Sequence, residues 1–284
     1  MAIIGAGLMG AQIGCEYALG GHEVVLHARD PEAARARADA GLAMLAGHGL
    51  RTAQQIAEAA RRVTTAADPG AAADGAQLVV ESLPESLAVK SVVLRAALAA
   101  APLAIVATNT SSLSITAIGD AVGAPERTVG THYLNPPLLM PPVEIVAGER
   151  TAPETVAFAR DTVAALGKLP VLVERDVPGF VWNRLQFALV RECVWLVEQG
   201  VCSAETVDVV LREGLARRWR RVGPFRAMAL GGVETWNRSG ANIVPALSRA
   251  ESLPDLARFA LAGGDLAADA RARDAALARE LRDR

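Results

Sequence analysis

The segment IIGAGLMGAQIG places Gly5-x-Gly7-x-x-Gly10 between an apolar, β-branched run and an Ala-rich stretch with helical patterning. Each glycine answers a separate steric need. Gly5 suits the tight turn out of a strand, Gly7 lets backbone approach a pyrophosphate, and Gly10 allows a helix to pack closely on the strand. Leu8 and Met9 open that helix, whose N-terminal N–H groups stabilise an anion. A lone GxGxxG means little, but here a second β-branched run, EVVLH, follows at the spacing of the next strand. That context makes Gly5, Gly7, Leu8, Met9 and Gly10 candidate dinucleotide contacts.

The alternation continues through the first half of the chain. AIIGAG, EVVLHA, QLVVESL, LAIVATNT, TVGTHYL, PVEIVAG and LPVLVE are strand-like, and helical stretches such as 9–20, 31–46 and 86–100 separate several of them. Alternating βαβ units imply a mainly parallel sheet covered by helices. In TAPETVAFARDTVAALGK, Thr151 and Glu154 have capping-box spacing, Pro153 sits in the first turn and Gly167 follows the apolar face. From about Asp176 the strand signals fade and helical patterning runs to the C-terminus. The expected architecture is α/β: a Rossmann-type, doubly wound dinucleotide-binding domain over residues 1–175, then an all-α substrate and dimerisation domain over 176–284. The tail after 265, LAADARARDAALARELRDR, is charge-mixed and reads as a solvated terminal helix.

With 284 residues, 51% of them hydrophobic, the chain can bury a sizeable core. A formal net charge of −2 argues against nucleic acid or an anionic membrane as the main partner. No apolar run reaches membrane-spanning length and the first residues lack a basic n-region, so the expected location is the cytoplasm. The three cysteines, Cys15, Cys193 and Cys202, show neither CxxC nor Cys/His spacing, so neither a disulfide framework nor a metal site is expected.

At the end of the second strand, where an acid would accept the ribose hydroxyls of NAD, the chain reads Ala28-Arg29-Asp30. A small neutral residue followed by Arg makes room and charge for a 2′-phosphate, which tilts the expected cofactor slightly from NAD toward NADP. In the alternative, Arg29 stacks on the adenine and Asp30 takes the ribose contact.

Two further stretches carry chemistry. ATNTSSLSIT follows the apolar run LAIVA, so Asn109, Thr110, Ser111 and Ser112 would emerge at the carboxyl end of a parallel strand, where such sheets bind ligands. THYLNPPLLMPPVEIV sets His132 and Glu144 within two apolar strand-like runs. An isolated ionisable group there costs desolvation free energy unless it is partnered. If adjacent strands carry the two, the carboxylate can orient the imidazole.

GAGLMG, ESLPESLAVK, TNTSSLSIT, THYLNP, VEIV, GK-x-PV and DVPGFVWNRL occur in the order and near the spacing of the 3-hydroxyacyl-CoA dehydrogenase family, and GPFRAMALGGVETW resembles its helical-domain signature. The resemblance covers about residues 1 to 240. It implies an NAD(P)-dependent 3-hydroxyacyl dehydrogenase or ketoreductase that moves hydride between nicotinamide and C3 of its substrate. His132 matches the family's general base and Glu144 its carboxylate partner. Ser111 and Asn183 match groups that bind the reacting oxygen, while Glu85, Lys90 and Asn109 match cofactor contacts. It further implies a homodimer formed through the helical domain. A dinucleotide-binding protein without turnover would have no need of the set Ser111, His132, Glu144 and Asn183, so the set points to a catalyst.

The chain departs from acyl-CoA-specific members at PEAARARADAGLAMLAGHGL, where Arg35 and Arg37 stand in place of a lysine-rich helix. HYLNPP and NRLQFALVRE also resemble the branch that holds carnitine and gulonate dehydrogenases and polyketide ketoreductases. The expected partner is therefore a small acyl substrate: a CoA ester or, alternatively, a carrier-bound ketide or free 3-oxo acid. The cluster Arg217-Arg218-Trp219-Arg220-Arg221 reads as a solvated helix end rather than a nucleic-acid contact.

Overall fold

The computed structural model describes residues 1–259 and 265–282. Eight strands form one sheet: β1 (Ala2–Ile4), β2 (Val24–His27), β3 (Val63–Ala66), β4 (Leu78–Glu81), β5 (Ile105–Thr108), β6 (Thr128–Tyr133), β7 (Pro142–Ala147) and β8 (Leu169–Val173). Their order is β3-β2-β1-β4-β5-β6-β7-β8, so the direction of winding reverses between β1 and β4. All neighbours pair in parallel except β6 and β7. The short proline-rich connection between those two has no room for the crossover a parallel pair needs.

Side chains alternate across the sheet, as period-2 geometry requires. Ile3 enters the apolar cluster on one face, while Ala2 and Ile4 enter the cluster on the other. The first face is covered by α1 (Leu8–Leu19), α2 (Pro31–Gly47) and α3 (Ala53–Arg62), and the second by α4 (Pro69–Ala73), α5 (Leu87–Ala100) and α6 (Ile115–Val122). Side-chain caps start several of these helices: Asp30 for α2, Ser86 for α5 and Ser114 for α6. Helix α7 (Pro153–Ala165) returns to the first face, but its N-cap is Ala152 and the expected Thr151 cap is not made. The Thr151 hydroxyl instead donates to the Thr128 carbonyl at 2.6 Å and accepts from the Gly148 N–H at 2.8 Å.

Lys168, from the GK-x-PV motif, forms a buried ion pair with Glu16 at 2.6 Å. It also donates to the Pro137 and Met140 carbonyls at 2.6 and 3.3 Å, and so ties down the connection that follows His132. Burial pushes the Glu16 carboxyl above its usual range, against the pull of Lys168.

The chain divides into two compact units, differing from the expected division at residue 175. The first comprises residues 1–183 and the C-terminal segment from Ala267, and the second spans Arg184–Leu266. The first unit thus takes in the opening of α8 (Trp182–Glu198). The terminal helix is not wholly solvated. Its small, fully buried Ala278 sits with Leu277 and Leu281 against the sheet's first-face cluster, and Arg282 donates to the His48 carbonyl at 2.9 Å.

The second unit, taken by itself, is helical: the rest of α8, α9 (Ala204–Val210), a π-helical turn Leu211–Ala216, α10 (Arg217–Trp219), α11 (Pro224–Gly231) and α12 (Val233–Ile243). The arginine cluster lies on and just after α10, with the Arg217 side chain largely exposed. The last helix, α13, is Leu266–Arg282. Among the described residues, no helix is long and apolar enough to cross a membrane and no His/Cys/Asp/Glu group could hold a metal ion.

Candidate active site

A cleft of about 1060 Å³ opens where the winding reverses, at the carboxyl ends of β1, β2 and β4. The glycine loop forms its floor. Gly5 has a positive φ of 99°, and a Cβ there would come within 2.6 Å of the Ser82 carbonyl oxygen. A Cβ on Gly10 would fall 2.2 Å from the Gly5 oxygen, so α1 can approach β1 only with glycine at that position. Gly7, the N-cap of α1, behaves differently: a Cβ on it would meet nothing within 4 Å. The space above Gly7 is open cleft, bounded by the exposed Leu8 and by Met9. A glycine-floored hollow at a helix N-terminus fits a dinucleotide's pyrophosphate.

At the β2 end the cleft is lined by His27, Ala28, Arg29, Asp30 and Arg37. One carboxylate oxygen of Asp30 caps α2, accepting from the Ala33 N–H at 3.0 Å. Burial lowers the proton affinity of His27, against the pull of Asp68. Of the two arginines that stand in for a lysine-rich helix, Arg35 is tied to Asp39 at 3.0 Å and to the Val63 carbonyl at 2.8 Å. Arg37 faces the dinucleotide cleft instead and reaches the Ala6 carbonyl at 3.4 Å.

Glu85 lines the cleft and organises the loop after β5. Its carboxylate accepts from the Thr110 hydroxyl at 2.8 Å and from the Ser111 and Ser112 N–H groups at 2.5 and 3.1 Å. Burial raises its proton affinity, but the Ser111 N–H, the Lys90 charge and the Thr110 hydroxyl outweigh that and hold the carboxyl below its usual range. Lys90 does not line the cleft. It is 1% exposed, with its ammonium 2.6 Å from Glu81 and 3.2 Å from Glu85. Glu81, fully buried at the end of β4, also accepts from the Thr108 hydroxyl at 2.6 Å and from the Leu83 N–H. Asn109 borders the cleft and accepts from the Tyr133 N–H at 2.7 Å, joining the ends of β5 and β6.

The expected proton-transfer residues converge next to this loop. His132 and Glu144 are direct partners in the antiparallel β6–β7 register. His132 Nδ1 lies 2.7 Å from Glu144 Oε2, and both residues are buried. An ionised carboxylate only accepts, so in a neutral imidazole this contact places the proton on Nδ1 and leaves Nε2 as an acceptor. Ser111 Oγ stands 3.1 Å from that Nε2. Asn183, in the first turn of α8, donates through Nδ2 to the Ser111 carbonyl at 3.4 Å. The other Glu144 oxygen, Oε1, accepts from the Val181 and Trp182 N–H groups at 2.9 and 2.8 Å. Burial favours the neutral Glu144 carboxyl, but the His132 hydrogen bond and these two N–H groups outweigh it and hold the carboxyl below its usual range.

Glu81, Phe180 and the backbone N–H groups of Val181 and Trp182 join the site without having been expected in it. In the sequence Glu81 shows only as an acid closing an apolar run, nine residues before Lys90. The Val181 and Trp182 contributions are backbone groups, which leave no signature in residue type.

Residues 1–177 match the family of the 3-hydroxyacyl-CoA dehydrogenase NAD binding domain, and residues 179–254 match the 3-hydroxyacyl-CoA dehydrogenase C-terminal domain. The chain is 39% identical over 238 residues to 5-formyl-3-hydroxy-2-methylpyridine 4-carboxylate 5-dehydrogenase of Mesorhizobium japonicum, covering 83% of this chain and 77% of that one. It is 36% identical over 236 residues to L-carnitine dehydrogenase of Streptomyces griseus, covering 82% and 70% respectively. Among solved structures, an NAD+-dependent dismutase, a 5-formyl-3-hydroxy-2-methylpyridine 4-carboxylic acid 5-dehydrogenase, superposes with a TM-score of 0.88 at 33% identity, covering 100% of this chain and 98% of that one. The chain belongs to the 3-hydroxyacyl-CoA dehydrogenase family and is an oxidoreductase carrying that family's NAD-binding domain.

Proposed function

We propose that the protein interconverts a hydroxyl and a carbonyl on a small-molecule substrate that is not a CoA ester, with His132 and Glu144 as the general base pair. The observation that carries this reading is the chain Ser111 Oγ, His132 Nε2, His132 Nδ1, Glu144 Oε2, with separations of 3.1 and 2.7 Å at its two hydrogen bonds. A bound nicotinamide supplies the hydride acceptor for oxidation, or the donor for reduction. In oxidation His132 Nε2 takes the hydroxyl proton, and the Glu144 carboxylate stabilises the imidazolium that results. Ser111 Oγ and Asn183 hydrogen-bond the reacting oxygen and orient it. The apolar walls around His132 limit water and so strengthen each of these polar interactions.

The substrate class rests on two supports. The relatives named above act on a pyridine carboxylate and on L-carnitine. In addition, Arg35 is already committed to Asp39 and Val63, which leaves α2 poorly equipped for the phosphates of CoA. For the cofactor, the family domain and the NAD+-dependent relative support NAD. The tilt toward NADP has no support from the relatives and rests on Ala28 and Arg29 alone. A homodimer through the second unit, in the cytoplasm, completes the reading; exposed Phe187, Phe225 and Trp236 are its apolar material.

The test is an initial-rate comparison of acetoacetyl-CoA reduction with NADH against NAD+-dependent oxidation of L-carnitine and a panel of free hydroxy acids and hydroxymethyl-pyridine carboxylates. Turnover confined to the unesterified compounds supports the proposal. Brisk turnover of acetoacetyl-CoA contradicts the substrate class.

A further inference from the structure

Glu144 has a second set of partners that a general-base mechanism does not require. Its Oε1 accepts two backbone hydrogen bonds, from Val181 at 2.9 Å and Trp182 at 2.8 Å, where the chain enters α8. The turn that aims these donors is conformationally costly. Gly179 has φ 79°, and Phe180 follows at φ 49°, where a side chain with a Cβ is disfavoured. Phe180 is the non-glycine residue found at positive φ among the described residues. Packing holds it there. The ring is 1% exposed among Ile115, Val146 and Val173, and it meets the His132 imidazole edge-on, with centroids 5.6 Å apart and planes at 62°.

We propose that the Gly179–Phe180 turn and the first N–H groups of α8 are a positioning device that sets the pH range in which His132 accepts its proton. The inference rests on the general-base reading given above. The two N–H groups draw negative charge toward Oε1, which weakens the pull of Oε2 on the Nδ1 proton of His132. They also lock the carboxylate plane, and the Phe180 ring locks the imidazole. The His132 hydrogen bond, together with the Trp182 and Val181 N–H groups, holds the Glu144 carboxyl below its usual range despite burial. His132 on β6 is an ionisable group that acts on Glu144; its β8 neighbour in register is Val171, and Val181 and Trp182 at the start of α8 contribute backbone N–H groups.

The experiment compares Trp182→Pro with Trp182→Ala in the full chain. Trp182 is the first residue of α8, a position that tolerates proline, so the first variant removes one donor and the second keeps it. Each protein is labelled with 15N-histidine and the His132 ring is titrated by NMR; the chain has 4 histidines, so His132→Gln assigns the signal. The proposal expects the midpoint in Trp182→Pro to lie above that in Trp182→Ala by about half a pH unit or more. Equal midpoints overturn it. Should the proline variant not fold, the parent protein decides: the Val181 and Trp182 amide protons must titrate together with the His132–Glu144 pair, and amide shifts flat with pH overturn the proposal. A His132→Ala protein that keeps its turnover would sink the general-base reading instead, and that outcome is separate from either midpoint result.

Discussion

The Lys90 ammonium lies 2.6 Å from a carboxylate oxygen of Glu81, and neither side chain is more than 1% exposed. This pair underlies the cleft: Lys90 also holds Glu85, and Glu85 gathers the Thr110, Ser111 and Ser112 loop. Lys90→Met would leave Glu81 buried and uncompensated. The expected loss is about 3–5 kcal/mol of unfolding free energy, read from urea denaturation, with much of it recovered in Lys90→Met/Glu81→Leu.

The glycine loop separates a folding role from a binding role. Gly10→Ala sets a methyl against the Gly5 carbonyl, so it should lower the melting temperature and weaken dinucleotide binding together. Gly7→Ala projects its methyl into open cleft and should leave the melting temperature of the ligand-free protein nearly unchanged. Its effect should fall on NAD+ affinity, at least about tenfold by calorimetry, through loss of close backbone approach.

Ala28, Arg29 and Arg37 line the β2 end of the cleft. Ala28→Asp should tighten NAD+ and weaken NADP+. Arg29→Ala should weaken NADP+ and leave NAD+ nearly unchanged. Paired dissociation constants for both cofactors measure these shifts. A parent protein that binds NADP+ no better than NAD+ would count against a 2′-phosphate role for the two arginines.

Glu144 also links stability to acid. Burial raises its proton affinity, but the His132 hydrogen bond and the Trp182 and Val181 N–H groups bring it below the unfolded value. A depressed carboxyl contributes stability that is complete above the unfolded pKa, roughly 4.3, and is lost as pH falls through the lower folded value. Glu144→Gln should therefore be less stable than the parent at neutral pH, with the gap closing below about pH 4. Denaturant midpoints across that range check it.

Much of this arrangement was legible in residue order. The glycine spacing specified the turn, and the alternation of β-branched and Ala-rich runs specified the doubly wound sheet. His132 and Glu144 stood out because polar groups inside apolar runs need partners, and the family resemblance supplied their pairing. The segment between β2 and β4 was harder. β3 reads VTTA, short and half polar, and α3 lies in RTAQQIAEAARR, whose apolar face is little more than alanine and one isoleucine. The antiparallel step at β7 follows from the short connection between Tyr133 and Pro142, but the return of α13 to the sheet depends on tertiary packing, which local patterning does not encode. Lys90 carries a family match to cofactor contacts, yet its burial follows from Glu81, an acid that strand periodicity alone does not distinguish from a solvated one.

The most direct measurement is the turnover of His132→Ala beside its affinity for NAD+, in the full chain and with whichever substrate the rate comparison identifies. Loss of a general base predicts that kcat falls by about a hundredfold or more while the NAD+ dissociation constant stays close to the parent value. Unchanged turnover, or equal loss of NAD+ binding and activity, would contradict the role assigned to His132.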